Sequence, residues 1–501
     1  MAKLTDLPPE TLLTVTSFLW SGQPAKKRLF DARNSDENNS LAKSLHSERL
    51  SVFNFSSTCK YLHEVLKAEK YRFVSIHGYN SAQKLLSLLR LIRVRPEIGD
   101  HVQRLHLNLF TLPSGYTSIS YEQLRSLKTW AETIGIYIRR TTLEDAKEYE
   151  NRDAFDRQEV DPNDWNWNSS SPDEAYHNHD RECLGIICNM LFHYLRNVKE
   201  ITFSTSPEIF HRVVGHLLAS RPMAMQNSMA TIRLPALQSL ALETDLSQSS
   251  QPDMFDFYDI RRLEAGISDI YLRGFDFYYE DRPKFPGSPL RSIVLQDIYL
   301  FYHPESFFTI LEHCEHLTRF IYIRTNHDDN REEMLPFPLT IEKGLRKSRQ
   351  SLRTLCFCCG PVHWRDKNNR IFESFESFKV LENLWVDAWS CGWAVRDTLE
   401  NEFDVESESN FEEEAVTPAV AVTLIRTLPS SLRRLHIHGP VDRIYNSLRW
   451  LAGHCRDGMM PRFKEIAFKD LESTMATERL KVMFREAGVK TCRVDLDPIS
   501  W

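Results

Sequence analysis

Apolar residues recur along this chain with one spacing, apolar–x–x–apolar–x–apolar. The windows begin at Val102, Val198, Leu237, Ile267, Leu290, Leu317, Leu352, Leu381, Leu432, Phe463 and Val489. The last two apolar positions of each window alternate with other residues, as they do in a half-buried β-strand. Most windows follow a helix-like stretch, such as residues 208–219, 304–314 and 474–487. The pattern predicts strands that alternate with helices, which is an α/β fold built from repeats.

Two steps between windows are much longer than the rest and predict insertions. The first, at about residues 150–182, is polar and follows a helix-like stretch over residues 121–149. The second, at about residues 398–416, is acidic from Glu400 to Glu414. A run of charge is usually a solvated segment. The alternative reading is an acidic flap that selects a basic partner.

The N-terminal region carries more apolar surface than one short helix can hide. Pro8 and Pro9 cannot donate backbone hydrogen bonds, so they fit the entrance of a helix. The apolar residues that follow are Leu12, Leu13, Val15, Phe18 and Leu19. A second apolar segment can cover part of them with Leu50, Phe53, Phe55, Leu62 and Leu66. The remaining surface predicts a docking site for another protein, and an ordinary core helix is the alternative.

These two segments resemble the F-box, a short helical module that binds the Skp-type adaptor of cullin–RING ubiquitin ligases. The resemblance assigns adaptor binding to Leu7, Pro8, Pro9, Glu10, Leu12, Leu13, Phe18, Leu19, Thr58, Cys59, Lys60 and Leu62. Residues 69–76 look like the helix-to-strand exit common after fungal F-boxes. The sequence departs from the family at about residues 21–47, where a polar, charged insertion stands in place of a short turn.

The remainder of the chain resembles the irregular leucine-rich-repeat arrays found behind fungal F-boxes. The common step between windows is about 23 to 39 residues, which brackets the leucine-rich-repeat period. The resemblance implies a solenoid with parallel strands on a concave face and helices on a convex face. We therefore expect an F-box over residues 1–76 and a repeat domain over residues 77–501. The asparagine ladder of regular repeats is largely absent, with Phe110, Asp245 and Trp389 among the residues at those positions.

Composition excludes several classes of protein. A net charge of −7 and a pI near 6.2 give no overall attraction to nucleic acid or anionic membranes. Ten cysteines in 501 residues are too sparse for a disulfide scaffold. The sequence shows no secretory signal, and its longest apolar stretches are far shorter than the ~20 residues that span a bilayer. We expect a chain located in the cytoplasm or the nucleus, with reduced thiols.

Catalytic and cofactor motifs are missing from the sequence. No G-x-G-x-x-G, Walker-type loop, G-x-S-x-G or H-E-x-x-H spacing occurs. The strongest metal-like cluster is Cys356-Phe357-Cys358-Cys359 with His363, but the matching second cysteine pair of a zinc site is missing. A second candidate, His177 and His179 with Cys183, borders the polar insertion. We therefore predict no catalytic residues, no cofactor and no bound metal, and a metal-dependent enzyme or sensor remains an alternative.

The strand pattern also predicts a partner surface. If residues 2 and 4 of each strand are buried, the alternate residues line the concave face. There the most apolar stretch is flanked by charges, and aromatic residues and arginine are typical binding hot spots. The predicted substrate-binding residues are Tyr271, Arg273, Val294, Arg319, Ile321, Ile323, Trp385 and Asp387. The alternative is that neighbouring loops or the insertions cover these side chains as core.

Together these features predict the non-catalytic substrate-recognition subunit of an SCF-type ubiquitin ligase. The helical N-terminus would bind a Skp-type adaptor, and through it a cullin, while the repeats hold a target protein. Neither nucleic acid nor a membrane is an expected partner. The alternative is a repeat scaffold that mediates protein interactions outside any ubiquitin ligase.

Overall fold

A computed structural model describes the chain over residues 7–19, 47, 50–77, 81–109, 119–134, 136, 172–204, 234–243, 254–255, 266–274, 276–277, 289–298, 311–324, 338–359, 372, 374–388, 391, 424–439, 444–469 and 475–493. The protein is α/β, and its main strands are all parallel. It divides into two compact units, Met1–Ile267 and Ser268–Trp501.

The first unit is mainly helical and contains a parallel sheet of four strands. The helices are α1 (Pro9–Leu19), α2 (Lys60–Val65), α3 (Lys67–Arg72), α4 (Ser81–Val94), α5 (Pro96–His101), α6 (Tyr121–Thr133) and α7 (Pro172–Tyr194), and residues 50–56 are helical as well. The paired strands are β1 (Phe73–Ile76), β2 (Arg104–Asn108), β3 (Glu200–Ser204) and β4 (Ser239–Glu243), in that spatial order. A short strand, β5 (Met254–Phe255), lies near the end of the unit.

The second unit contains a parallel sheet of seven longer strands and a short final one. The strands are β6 (Asp269–Arg273), β8 (Ser292–Gln296), β9 (Arg319–Ile323), β10 (Thr354–Cys358), β11 (Asn383–Asp387), β12 (Arg434–His438), β13 (Glu465–Lys469) and β14 (Lys490–Arg493). The short strand β7 (Asp276–Phe277) lies outside this sheet. The helices are α8 (Pro338–Gly344), continued by a 3-10 helix (Leu345–Gln350), α9 (Tyr445–Arg456) and α10 (Met475–Glu486).

The strand predictions are confirmed, because each of the eleven apolar windows forms a strand of these sheets. In β2 to β4, β6 and β8 to β13 the second and fourth residues are at most 4% exposed, as in Leu355 and Phe357 of β10. The final strand departs from the pattern. Thr491, rather than Cys492, stands opposite Ile466, so the last window is shifted by one residue against its neighbour.

A backbone ladder joins the residues that immediately precede successive strands. In the second unit, the amide of Thr318 donates to the carbonyl of Arg291 at 2.8 Å, and the amide of Arg353 donates to Thr318 at 2.8 Å. The same bond recurs from Glu382 to Arg353 at 2.9 Å and from Arg433 to Glu382 at 2.8 Å. The chain therefore enters each strand at the same level, which keeps the repeats in register despite their unequal lengths.

Close packing in the first unit explains how its helices are held. Trp130 of α6 donates from its Nε1 to the Tyr194 hydroxyl of α7 at 2.9 Å, and the Arg93 guanidinium lies 4.8 Å from the Trp130 ring. A Cβ atom on Gly99 would lie 2.6 Å from the carbonyl oxygen of Tyr194. Only glycine therefore allows α5 to approach α7 this closely.

Two predicted boundaries differ from the structure. The predicted insertion at about 150–182 ends too late, because α7 begins at Pro172. Proline suits a first helical position, and Asp173 and Glu174 are residue types favoured in a first turn. The predicted domain boundary at residue 76 falls at a strand, β1, that pairs with β2 of the following region. The segments at 21–46 and 398–416 lie outside the described residues.

Candidate protein-docking surfaces

Helix α1 places two adjacent leucines, Leu12 and Leu13, in different environments. Its first turn is closed by the carbonyl of Pro8, which accepts from the amides of Thr11 at 3.0 Å and Leu12 at 3.2 Å. Leu12 is fully buried, and so is Thr16 one turn later, whose hydroxyl donates to the Leu12 carbonyl at 2.8 Å. Leu13 is 38% exposed. The helix thus buries the side that carries Leu12 and Thr16 and leaves the apolar Leu13 exposed.

The second apolar segment packs beside the start of α1. Cys59 caps α2, its Sγ accepting from the Leu62 amide at 3.5 Å, and Leu62 and Leu66 are buried. The Tyr61 hydroxyl donates to the carbonyl of Leu7 at 3.5 Å. The two segments that carry the F-box resemblance therefore meet in space, although more than fifty residues separate these two partners in sequence.

Exposed apolar side chains remain on this helical region. The N-terminal apolar set consists of Leu13, Val15, Leu50 and Tyr61, which are between 38% and 45% exposed. Val15, Leu50 and Tyr61 are absent from the sequence-predicted adaptor residues. Leu12 and Thr16 are four residues apart and mark the buried side of α1, so Leu13 and Val15 lie on its two flanks.

The twelve predicted adaptor residues have four outcomes. Pro8, Pro9, Glu10, Leu13, Thr58 and Lys60 are exposed, and Leu7 and Cys59 are half-buried. The assignment of Leu12 and Leu62 to an exposed contact is wrong, since they are 0% and 1% exposed and form the core between the helices. The side chains of Phe18 and Leu19 lie outside the described residues.

The predicted concave patch is not a surface in this structure. Parallel pairing in register places the third residues of successive strands in one row, and none of them is more than 4% exposed. This central row is Tyr271, Val294, Ile321, Cys356, Trp385, His436 and Ala467. Parallel sheets are generally covered on both faces. In this structure these side chains are therefore core, as the alternative expects, and they offer no open surface to a partner.

The charged members of the predicted patch have partners inside the protein. Asp387 is fully buried, and its Oδ2 accepts from the Cys359 amide at 3.0 Å. Arg273 lies 4.0 Å from Asp297, a buried residue with a φ of 51°. Ile323 is 8% exposed, and Arg319 is half-buried at the first position of β9. Asp387 is thus a structural acceptor rather than a binding residue.

The cysteine cluster is buried beside the same carboxylate. Burial, with a further contribution from Asp387, raises the pKa of the Cys359 and Cys391 thiols well above their usual value. Burial also raises the pKa of Cys358, followed by a hydrogen bond between the Cys358 and Cys356 thiols and by the charge of Asp387. These thiols are therefore protonated and poor nucleophiles at neutral pH. In the part of the chain that the structure describes, no group of three or more His, Cys, Asp or Glu side chains is arranged to hold a metal ion.

In the first unit, the sheet face formed by the first, third and fifth residues of the strands carries polar side chains. Ser75 Oγ and His106 Nδ1 are 3.0 Å apart, and Ser204 Oγ donates to Glu243 Oε2 at 3.2 Å. Burial, and to a lesser degree the charge of His77, lowers the pKa of His106 to about 4. A serine and a histidine at this distance can form a nucleophile and base. Here His106 is only 4% exposed and Ser75 is half-buried, so we read the pair as part of the packed interior.

Comparison with known proteins adds no family to this picture. No protein-family model matches the chain, and no curated protein matches it significantly. None of the helices over the described residues is long and apolar enough to cross a membrane. Functional conclusions therefore rest on the residues themselves.

Proposed function

We propose that this chain is the substrate-recognition subunit of an SCF-type cullin–RING ubiquitin ligase. Its N-terminal helices, over residues 7–66, bind a Skp-type adaptor, and its leucine-rich-repeat solenoid holds a target protein. The chain itself performs no chemistry. It raises the effective concentration of the target near the ligase's catalytic subunits.

The observation that carries this proposal is the N-terminal apolar set. Four apolar side chains remain 38–45% exposed on helices whose buried residues include Leu12, Leu62 and Leu66. We propose that these four side chains belong to one interaction site, since contiguous exposed apolar patches typically mark such sites. Burying the exposed part of each side chain contributes roughly 1 kcal/mol, so the four together support a stable complex once entropy costs are met.

The contact between Tyr61 and Leu7 supports the same proposal. It brings the proline entrance of α1 beside the start of α2, and the exposed Pro8, Glu10 and Lys60 lie on these two segments. These are residues that the F-box resemblance assigns to the adaptor. The polar insertion between the two segments does not prevent this arrangement.

Adaptor binding tests the proposal directly. The chain is co-expressed with a Skp-type adaptor, and the affinity of the purified partners is measured by calorimetry. Leu13→Asp should weaken the complex about 30-fold or more, because a charge replaces apolar contact area at the interface and each 1.4 kcal/mol is a factor of ten. The fold should persist, since Leu13 contributes little to the core.

The matched control is Leu91→Asp in α4. Leu91 is 37% exposed, nearly the same as Leu13, but lies outside the proposed adaptor site. This variant should bind the adaptor as the wild type does. A wild-type chain that stays free beside excess adaptor would instead favour the repeat scaffold that acts outside any ubiquitin ligase.

A further inference from the structure

Cations gather where the chain enters the strands of the second unit. They occupy the first residue of a strand or the residue just before it, from β8 to β14. We call these residues the basic row: Arg291, Arg319, Arg353, Arg433, Arg434, Lys464 and Lys490. All are exposed except Arg319, which is half-buried. The chain as a whole carries a net charge of −7, so this concentration of positive charge is local.

The backbone ladder fixes the spacing of the row. Hydrogen bonds of 2.8–2.9 Å run from the amide of Lys464 to the carbonyl of Arg433, and from Lys490 to Lys464. Neighbouring strands are roughly 4.8 Å apart, so seven strands extend the row over about 29 Å. An extended polypeptide covers that length with about nine residues.

Carboxylates neutralise only part of the row. Glu382 is shared by Arg353 at 3.6 Å and Arg433 at 3.7 Å, and Glu465 lies 3.7 Å from Arg434. At the strand entrances from β8 to β14, these are the two acidic residues beside seven cations. Over the described residues, Arg291, Lys464 and Lys490 form no ion pair within 4 Å. The row therefore has a surplus of exposed positive charge, and it lies on both sides of the sheet at this edge because successive side chains of a strand alternate between its two faces.

We propose that the basic row binds an extended acidic segment of a partner protein, with aspartate or glutamate side chains at intervals along it. Five of the seven cations are arginines, whose planar guanidinium matches the two oxygens of a carboxylate. Glu382 and Glu465 interrupt the positive charge at intervals. Spaced carboxylates can avoid these two positions, whereas the continuous phosphates of a nucleic acid cannot.

The residue types in the row also favour a peptide over single-stranded nucleic acid. Nucleic-acid grooves of this kind combine cations with aromatic side chains on which bases stack. The strand entrances that carry the row hold no aromatic residue; the remaining ones are Ser292, Thr318, Thr354, Glu382, Asn383, Glu465 and Val489. The proposal does not depend on adaptor docking, because the basic row and the N-terminal apolar set belong to different units.

Fluorescence anisotropy with the full-length chain tests this inference. The probe is a labelled peptide of about ten residues in which glutamate and serine alternate. We expect binding at low salt that weakens steeply as salt rises, because exposed charges are screened. Arg291→Glu combined with Lys464→Glu should weaken binding at least tenfold.

The control variant reverses two exposed cations of the same unit that lie outside the row, Arg346→Glu and Arg485→Glu. It has the same net charge as the test variant, and it should bind the peptide within twofold of the wild type. Circular dichroism melting verifies that both variants fold. Equal losses in the two variants would overturn the proposal, as would absence of peptide binding at low salt or tighter binding of an oligothymidylate of equal charge.

Discussion

Leu12 and Leu13 are adjacent residues of one type in opposite environments. One is fully buried and the other is 38% exposed, because successive residues of a helix lie about 100° apart. Sequence alone identifies the pair but not which member faces the core. The burial of Thr16 on the same side as Leu12 decides it.

His106 shows a similar dependence on environment, and it makes stability depend on pH. Its pKa is about 4 in the folded chain against 6.5 for a free side chain, so between these values the unfolded state binds more protons. The free energy of unfolding should therefore be largest above pH 6.5 and fall by roughly 3 kcal/mol as pH drops to 4. Urea unfolding of the wild type and of His106→Gln at pH 7 and pH 4.5 measures this contribution, which the variant should lack.

The exposed residue His316 provides the comparison for that experiment. His316→Gln should keep the pH dependence of the wild type. If His106→Gln also runs parallel to the wild type, the protonation of His106 is not what couples stability to pH.

At the scale of an element, α6 is defined by its first residues. The Ser120 hydroxyl accepts from the Gln123 amide at 3.3 Å, and the Gln123 side chain accepts from the Ser120 amide at 3.0 Å. Ser120→Ala should lower the free energy of unfolding by about 1 kcal/mol. The Gln123 amide loses its acceptor, and the reciprocal bond from the Ser120 amide to the Gln123 side chain is weakened. Denaturant titration of the full chain measures the loss.

A serine inside a helix serves as the matched control. Ser87 of α4 is exposed, and its hydroxyl donates to the Gln83 carbonyl at 2.7 Å. Ser87→Ala should be neutral or slightly stabilising, because alanine has the higher helix propensity. A destabilisation as large as that of Ser120→Ala would argue against the cap as the cause.

The positions of the strands were predictable from the sequence. Whether the opposite face of the sheet is covered was not. Leu355 and Phe357 identify β10 because two apolar residues alternate after a leading leucine, and the same spacing holds in ten other windows. The period of two says that Ile321 and Trp385 share the opposite face, but not whether that face is covered. The apolar character of those residues was itself the signal for burial, and reading it as a binding surface required an exposed face that the fold does not provide.

At the scale of the whole molecule, each strand is bonded only to its neighbours. Stability in such an array is close to a sum of repeat terms and nearest-neighbour terms. Leu355→Ala should therefore destabilise locally, and hydrogen exchange should accelerate most in β9, β10 and β11. The amides of β1 to β3 should keep their wild-type rates.

The reciprocal variant separates local from global effects. Leu105 of β2 is 2% exposed, so Leu105→Ala should accelerate exchange in β1, β2 and β3 and leave β10 unchanged. Uniform acceleration across all strands in both variants would show that the chain unfolds as one cooperative body.

Lys490 stands on the last of the described strands, and that position has a consequence for solubility. Over the described residues β14 is the last strand of its sheet, and a sheet edge in general can pair with another chain. Natural sheets often carry lysine at such an edge, because its long, strongly hydrated side chain opposes the approach of a second strand. The same ammonium group that completes the basic row thus also protects the end of the sheet against aggregation.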